Sequence, residues 1–131
     1  MQLLLNMRIT IDTSALIRFF TRDIEEKAQK VKKLLDSDTN IFIPNVVFPE
    51  LEYVLIKTYG VKREDLDTYF KFLTSKNNLK TTKDIKVAVE IYQKTKLDMA
   101  DCIIAAESLK GLLASFDKVL LKVENVKPFW K

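Results

Sequence analysis

The stretch MRITIDTSALIRFF, residues 7–20, joins a short alternating run to an apolar run through a single acid. The first part, Met7–Asp12, alternates in polarity and is rich in β-branched residues, which predicts a strand. The second part, TSALIRFF, predicts a helix that begins near Ser14. A strand that passes directly into a helix is the building unit of α/β folds. The stretch therefore predicts an α/β fold with Asp12 at the carboxyl end of its first strand.

The rest of the chain continues to alternate predicted strands with predicted helices. Further strands are predicted at IFIP (Ile41–Pro44), NLKTT, LLASF (Leu112–Phe116) and Val126–Phe129. Helices are predicted at DIEEKAQKVKKLLDS, VVFPELEYVLIKTYG, REDLDTYFKFLTS, KDIKVAVEIYQKT, MADCIIAAESL and KVLLKV. Because hairpin signals, repeats and linkers are absent, we expect one domain over residues 1–131. Its fold class is α/β, a three-layer α/β/α sandwich around a mainly parallel sheet of four to five strands.

Composition excludes several kinds of chemistry. The 131 residues include one Cys and no His, which excludes an internal disulfide, His-dependent nucleophilic catalysis and ordinary His-based zinc sites. No apolar run reaches the roughly 20 residues of a membrane span, and the apolar start lacks the features of a signal peptide. We therefore expect a cytoplasmic protein, with Met7 as an alternative start.

The charge is placed unevenly. The net charge is +4, and all of the positive excess lies in residues 66–131. Such an excess is compatible with a polyanionic partner such as RNA. It is also typical of a Lys-rich solvated surface, so charge alone does not establish nucleic-acid binding.

Several acids occupy strand ends or helix starts, where a parallel sheet would point them to one edge. They are Asp12, Glu50, Asp98, Asp101 and Asp117. Each has a local explanation as a helix cap or as a partner of a helix dipole. Converging carboxylates repel one another unless a cation neutralises them, and Mg²⁺ or Mn²⁺ suits an all-oxygen site. The hypothesis is a metal site in which metal-activated water attacks a phosphodiester.

Four motifs follow one another along the chain: IDTSALIRFFTRD (Ile11–Asp23), PELEYVL (Pro49–Leu55), LDMADCIIAAESLKG and LLASFD. In order and spacing they resemble those of PIN-domain nucleases, and more closely those of VapC-type toxins. The likeness runs from Met7 to the VKPFW segment. It implies a PIN-like fold, Mg²⁺ or Mn²⁺ as cofactor, cleavage of RNA, frequent homodimers and inhibition by a small antitoxin protein.

The resemblance also implies roles for individual residues. The four catalytic and metal-holding acids would be Asp12, Glu50, Asp101 and Asp117, with Asp98 and Ser14 as secondary neighbours of the metal. Ser115 stands where the family usually has Thr, and it keeps the hydroxyl group. Substrate-binding residues would be Ser14, Arg18, Arg22 and Ser115. The two arginines, four apart, also fit simple surface solvation.

Three other functions were weighed against a toxin ribonuclease. A PIN-like RNA-processing nuclease would use the same acids. A non-catalytic binding module would have lost the metal site, yet all four acids are retained. A response-regulator phospho-acceptor domain would need an acid pair after its first strand, whereas Asp12 stands alone and the IFIP strand ends without an acid.

Overall fold

The computed structural model describes residues 7–131 and contains two compact units, which meet in sequence between Thr82 and Lys83. The apolar residues before Met7 lie outside the described part. Within residues 7–131, no helix combines the length and apolar character that crossing a membrane requires.

The first unit is a parallel sheet with helical connections. Its elements are β1 (Ile9–Thr10), α1 (Thr13–Thr21), α2 (Glu25–Leu35), β2 (Ile41–Phe42), α3 (Val47–Tyr59), α4 (Arg63–Ser75) and β3 (Leu79–Lys80). The strand order is β1-β2-β3, with Ile9 opposite Ile41 and Ile41 opposite Leu79. All of these pairings are parallel, which confirms the prediction from the strand–helix alternation.

The strands are shorter than the sequence predicts. Each has two residues in the ladder, although single bonds extend the pairing, such as those from Ile11 N to Phe42 O and from Ile43 N to Lys80 O. Pro44 has no N–H and cannot continue β2. Ile41 and Ile43 are fully buried, as expected for a central parallel strand. Two residues separate β1 from α1 and four separate β2 from α3, so the acid-bearing helices start soon after their strands.

Aromatic side chains join the helices of the first unit. Phe20 stacks on Tyr69 at 4.2 Å between ring centroids, and Phe19 stacks on Phe72 at 5.8 Å. The buried Phe70 contacts another ring of the core. The Tyr69, Phe70 and Phe72 stripe therefore serves helix packing, which confirms the structural interpretation of this stripe over a base-stacking one.

The second unit is built on two packed helices, α5 (Lys83–Lys94) and α6 (Met99–Ser108). Small buried residues of α6, Cys102, Ala105 and Ala106, allow close packing against α5. A short 3₁₀ helix follows at Leu120–Lys122, where the KVLLKV helix was predicted. The Ala-rich helix α6 is thus confirmed as a buried core element.

The predicted strands at Leu112–Phe116 and Val126–Phe129 do not form. Only an isolated parallel bridge joins Leu113 to Pro128. The pairing stops there because the chain turns at Ser115, whose hydroxyl accepts from the N–H of Asp117. Over the described residues, the sheet has three strands, so the predicted four to five are not confirmed.

Candidate functional site

Asp12 links β1 to α1 and caps the helix. Its Oδ1 accepts hydrogen bonds from the backbone N–H of Ala15 at 3.1 Å and from the Ser14 hydroxyl at 2.8 Å. The Ala15 bond, followed by the Ser14 bond, lowers the pKa of the Asp12 carboxyl below its ordinary value. Asp12 is exposed, so it presents an ionised carboxylate to solvent at the end of the first strand.

Glu50 lies in the first turn of α3 and is held by Thr13. The Thr13 hydroxyl donates to Glu50 Oε1 at 2.5 Å, which ties the start of α1 to the start of α3. Thr13, Ser14 and Glu50 line one cavity of about 510 Å³, with Tyr53 on its wall. The first unit therefore brings the neighbourhoods of Asp12 and Glu50 together, as the strand-end argument predicts.

Asp98 and Asp101 open α6 with different roles. Asp98 is the N-cap, because its Oδ1 accepts from the backbone N–H of Asp101 at 2.9 Å. Burial raises the pKa of the Asp101 carboxyl above its ordinary value, and the charges of Asp98 and Asp117 raise it further. Asp98 is exposed, whereas Asp101 is half-buried. This confirms that Asp98 is the N-cap of α6.

Asp117 caps the 3₁₀ helix from the turn after Leu113. Its Oδ1 accepts from the backbone N–H groups of Val119 at 3.0 Å and Leu120 at 3.1 Å. The Ser115 hydroxyl accepts from the Asp117 N–H at 3.0 Å, so the hydroxyl shapes this turn. Asp117 lies near enough for its charge to act on Asp101, which makes Asp98, Asp101 and Asp117 one acidic group in the second unit.

The predicted acids therefore fall into two groups, one in each unit. Asp12 and Glu50 belong to the first unit, and the remaining acids belong to the second. Among residues 7–131, no three Asp, Glu, Cys or His side chains are already arranged as a set of metal ligands. Whether the two groups form one site stays a prediction.

Both predicted arginines are ion-paired. Arg18 Nη1 lies 2.6 Å from Asp23 Oδ2, and the Tyr59 hydroxyl donates to the same carboxylate oxygen at 2.9 Å. Arg22 lies just past the end of α1, in a left-handed conformation, and pairs with Glu25 at 2.9 Å. Arg22 therefore lies outside α1, whereas Arg18 lies within it.

Two residues of the site were missed in the sequence. Thr13 orients Glu50, and the signal for it was a hydroxyl residue directly after a strand-end acid. Tyr53 is 62% exposed on the cavity wall, one helical turn after Glu50. Its one-turn spacing from Glu50 could have indicated that it shares the same face.

The comparison with protein families identifies the chain. The PIN domain family matches residues 9–126, and the chain therefore belongs to that family. PIN domains are generally nucleases, and the nucleases of the family generally use divalent metals. The comparison with individual curated proteins gives no match.

The residues present suit a hard divalent cation. Their donors are carboxylate oxygens, which Mg²⁺ and Mn²⁺ prefer. Burial, followed by the charges of Asp98 and Asp117, raises the pKa of Asp101, and a bound cation would offset the repulsion between these charges. Asp12 is already held ionised by its hydrogen bonds. Each unit thus contributes acids of the chemical kind that the family's metal requires.

Asp101→Asn is expected to stabilise the metal-free protein at neutral pH. The folded-state pKa of Asp101 is raised, so its ionised form opposes folding, and this penalty grows as the pH rises through that pKa. The Asp98 cap survives, because it uses the backbone N–H of residue 101. Thermal unfolding in EDTA should show a higher Tm for the variant at neutral pH.

The difference in Tm between the variant and wild type should shrink in acid, where wild-type Asp101 is protonated. A variant less stable than wild type at neutral pH would contradict this electrostatic account.

Thr13→Val is expected to weaken Mn²⁺ binding about 10- to 100-fold, the usual effect of removing a group that orients a metal ligand. The substitution keeps the side-chain shape but removes the donor to Glu50. Thr68→Val is the matched control, because the Thr68 hydroxyl bonds only to a helix carbonyl on an exposed face. Calorimetric titration with Mn²⁺ measures both. Equal affinity of Thr13→Val and wild type would show that Thr13 does not serve the site.

Proposed function

We propose that the protein is a cytoplasmic, Mg²⁺- or Mn²⁺-dependent endoribonuclease, and that it acts as the toxin of a VapC-type toxin–antitoxin pair. The observation that carries the nuclease assignment is the placement of four accessible acids at helix starts in a chain of the PIN family. The four are Asp12, Glu50, Asp101 and Asp117. Asp12 and Asp117 cap the turns that follow them, Asp101 lies in the capped first turn of α6, and the Thr13 hydroxyl holds Glu50.

The proposal requires both groups of acids in one site. A single PIN domain with the predicted three-layer sandwich would bring strand ends and helix starts to one edge of the sheet. Asp98 would remain the cap that fixes the first turn of α6, and its charge would add to the attraction for a cation.

The carboxylate oxygens of the four acids would hold the divalent ion. When bound, such an ion lowers the pKa of a coordinated water and stabilises charge on a phosphoryl oxygen. Ser14 and the Ala15 N–H keep Asp12 ionised, and Thr13 keeps one oxygen of Glu50 oriented. Cleavage would leave a 5′-phosphate and a 3′-hydroxyl.

A cationic hollow beside the first acids supports a phosphate backbone as substrate. Arg18, Lys27 and Lys30 line a cavity of about 410 Å³ that also includes Ser14. Lysine and arginine contacts to phosphates position a nucleic acid without reading its sequence. Because Asp23 already neutralises much of the Arg18 charge, the two lysines supply the larger share of free positive charge here.

RNA cleavage is the direct test of the nuclease. Wild type should cut single-stranded RNA with Mg²⁺ or Mn²⁺ and should stop in EDTA. The Asp12→Asn variant should cleave at least about 100-fold more slowly than wild type. Loss of a metal ligand should cost at least as much activity as loss of a residue that only orients a ligand. Asp38→Asn is the matched control, since Asp38 is an exposed acid that precedes β2 at the opposite end of the strand.

The outcomes separate the alternatives. If the Asp12→Asn variant folds normally and still cleaves RNA at the wild-type rate, the proposed site is wrong. A wild type that binds no Mn²⁺ and cuts no RNA would instead favour the non-catalytic binding module. Circular dichroism of each variant shows whether a lost rate reflects a lost fold.

The toxin role and the homodimer rest on the resemblance of the four motifs to VapC-type toxins. A toxin should arrest growth when it is expressed alone and should be relieved by a small antitoxin encoded in the neighbouring reading frame. Growth without arrest, together with RNA cleavage in vitro, would favour an RNA-processing nuclease. Sedimentation of the purified protein tests the homodimer.

A further inference from the structure

Two exposed aromatic rings are stacked beside one of the site acids. Phe116 and Trp130 lie with ring centroids 4.7 Å apart and planes only 6° from parallel. Phe116 is 85% exposed and Trp130 is 50% exposed. Phe129 contacts Trp130 edge-on at 5.5 Å, which supports the indole from the side. Phe116 immediately precedes Asp117, so this aromatic pair adjoins the acidic group of the second unit.

Backbone hydrogen bonds hold the two chain segments that carry the rings. Leu113 N donates to Lys127 O at 2.8 Å, and Phe129 N donates to Leu113 O at 2.9 Å. The turn at Asp117 is fixed by its own caps to Val119 and Leu120. The pair is therefore ordered before any ligand arrives, which reduces the entropy that binding would cost.

Packing within the chain does not explain this arrangement. Phe116 keeps most of its surface in water and is more exposed than Tyr53, the most exposed large ring described in the first unit. An exposed aromatic cluster of this kind marks a binding surface more often than a core. Stacking one ring on the other covers one face of each, so Phe116 still presents ring surface to solvent.

The charges around the pair favour a polyanion as its occupant. Lys118, Lys127 and Lys131 flank the rings in sequence, and Asp117 is the acid next to them. Aromatic rings that stack bases, combined with cations that follow the phosphates, are how proteins bind single-stranded nucleic acid without sequence preference. Bases in a duplex are already stacked and paired, so only an unpaired nucleotide can lie on such a ring.

We propose that the Phe116–Trp130 pair is a base-stacking subsite that holds an unpaired nucleotide of single-stranded RNA beside Asp117. This subsite rests on the proposed nuclease function and adds to it a position for the substrate. A base stacked on Phe116 places its neighbouring phosphate next to the acid, while the flanking lysines contact the backbone. The subsite favours looped or single-stranded RNA over duplex RNA.

Trp130 provides the readout, because it is the only tryptophan in the sequence. The full-length protein is titrated with a short oligouridylate in EDTA, so that binding is measured without cleavage. When the indole is excited selectively, its fluorescence should be quenched as RNA is added, and the quenching should saturate. A matched RNA duplex should quench much less at the same concentration.

Substitutions at Phe116 separate stacking from simple apolar contact. Phe116→Ala and Phe116→Leu should each weaken oligouridylate binding at least about 5-fold, the lower end of what one stacked base contributes. Phe116→Tyr keeps an aromatic ring and should bind within about twofold of wild type. Val119→Ala is the matched control, since Val119 is a 63% exposed apolar residue nearby without a ring, and its change should be about twofold or less.

The result that overturns the subsite is unchanged binding by Phe116→Ala, or the absence of Trp130 quenching by RNA. If Phe116→Ala instead converts a dimer to a monomer in sedimentation while RNA binding is unchanged, the rings form a protein interface and the proposal is wrong. Cleavage of RNA by wild type with Mn²⁺ is measured in parallel. Cleavage without quenching rejects the subsite alone, whereas quenching without cleavage rejects the nuclease and leaves an RNA-binding surface.

Discussion

The hydrogen bond between an aspartate carboxylate and the N–H groups of the turn that follows it is the constraint on which the candidate site depends. Asp12, Asp98 and Asp117 each make such a bond, to Ala15, to Asp101 and to the 3₁₀ turn respectively. A capped turn has little freedom, so the carboxylate is fixed to the backbone at the point where a helix starts. The same residues that start the helices therefore also position the negative charge.

The pKa values of the site acids shift in opposite directions in the two units. In the first unit, hydrogen bonds from Ala15 and Ser14 lower the pKa of Asp12 and stabilise its charge. In the second, burial and the neighbouring acids raise the pKa of Asp101 and make its charge unfavourable. A fold that keeps Asp101 ionised without a cation gives up stability, which is common at functional sites. A bound divalent ion would remove that cost.

Local sequence rules predicted the elements that carry the acids, because caps, breakers and apolar spacing act over a few residues. One example is α3, which ends at Tyr59 and is followed by Gly60 with a left-handed φ of 65°. The strands near Leu113 and Pro128 were overpredicted, since their pairing depends on distant partners that a local pattern does not contain. The bond from Thr13 to Glu50 spans two helices and was missed for the same reason.

A double-mutant cycle on Mn²⁺ affinity tests most directly the proposal that Asp12 and Asp101 hold the same metal ion. Calorimetric titration compares wild type, Asp12→Asn, Asp101→Asn and the double variant. If the two carboxylates share an ion, each single substitution should remove most of the binding, and the double variant should lose little more. Two independent losses that add in free energy, or an unchanged affinity in either single variant, would contradict a shared site.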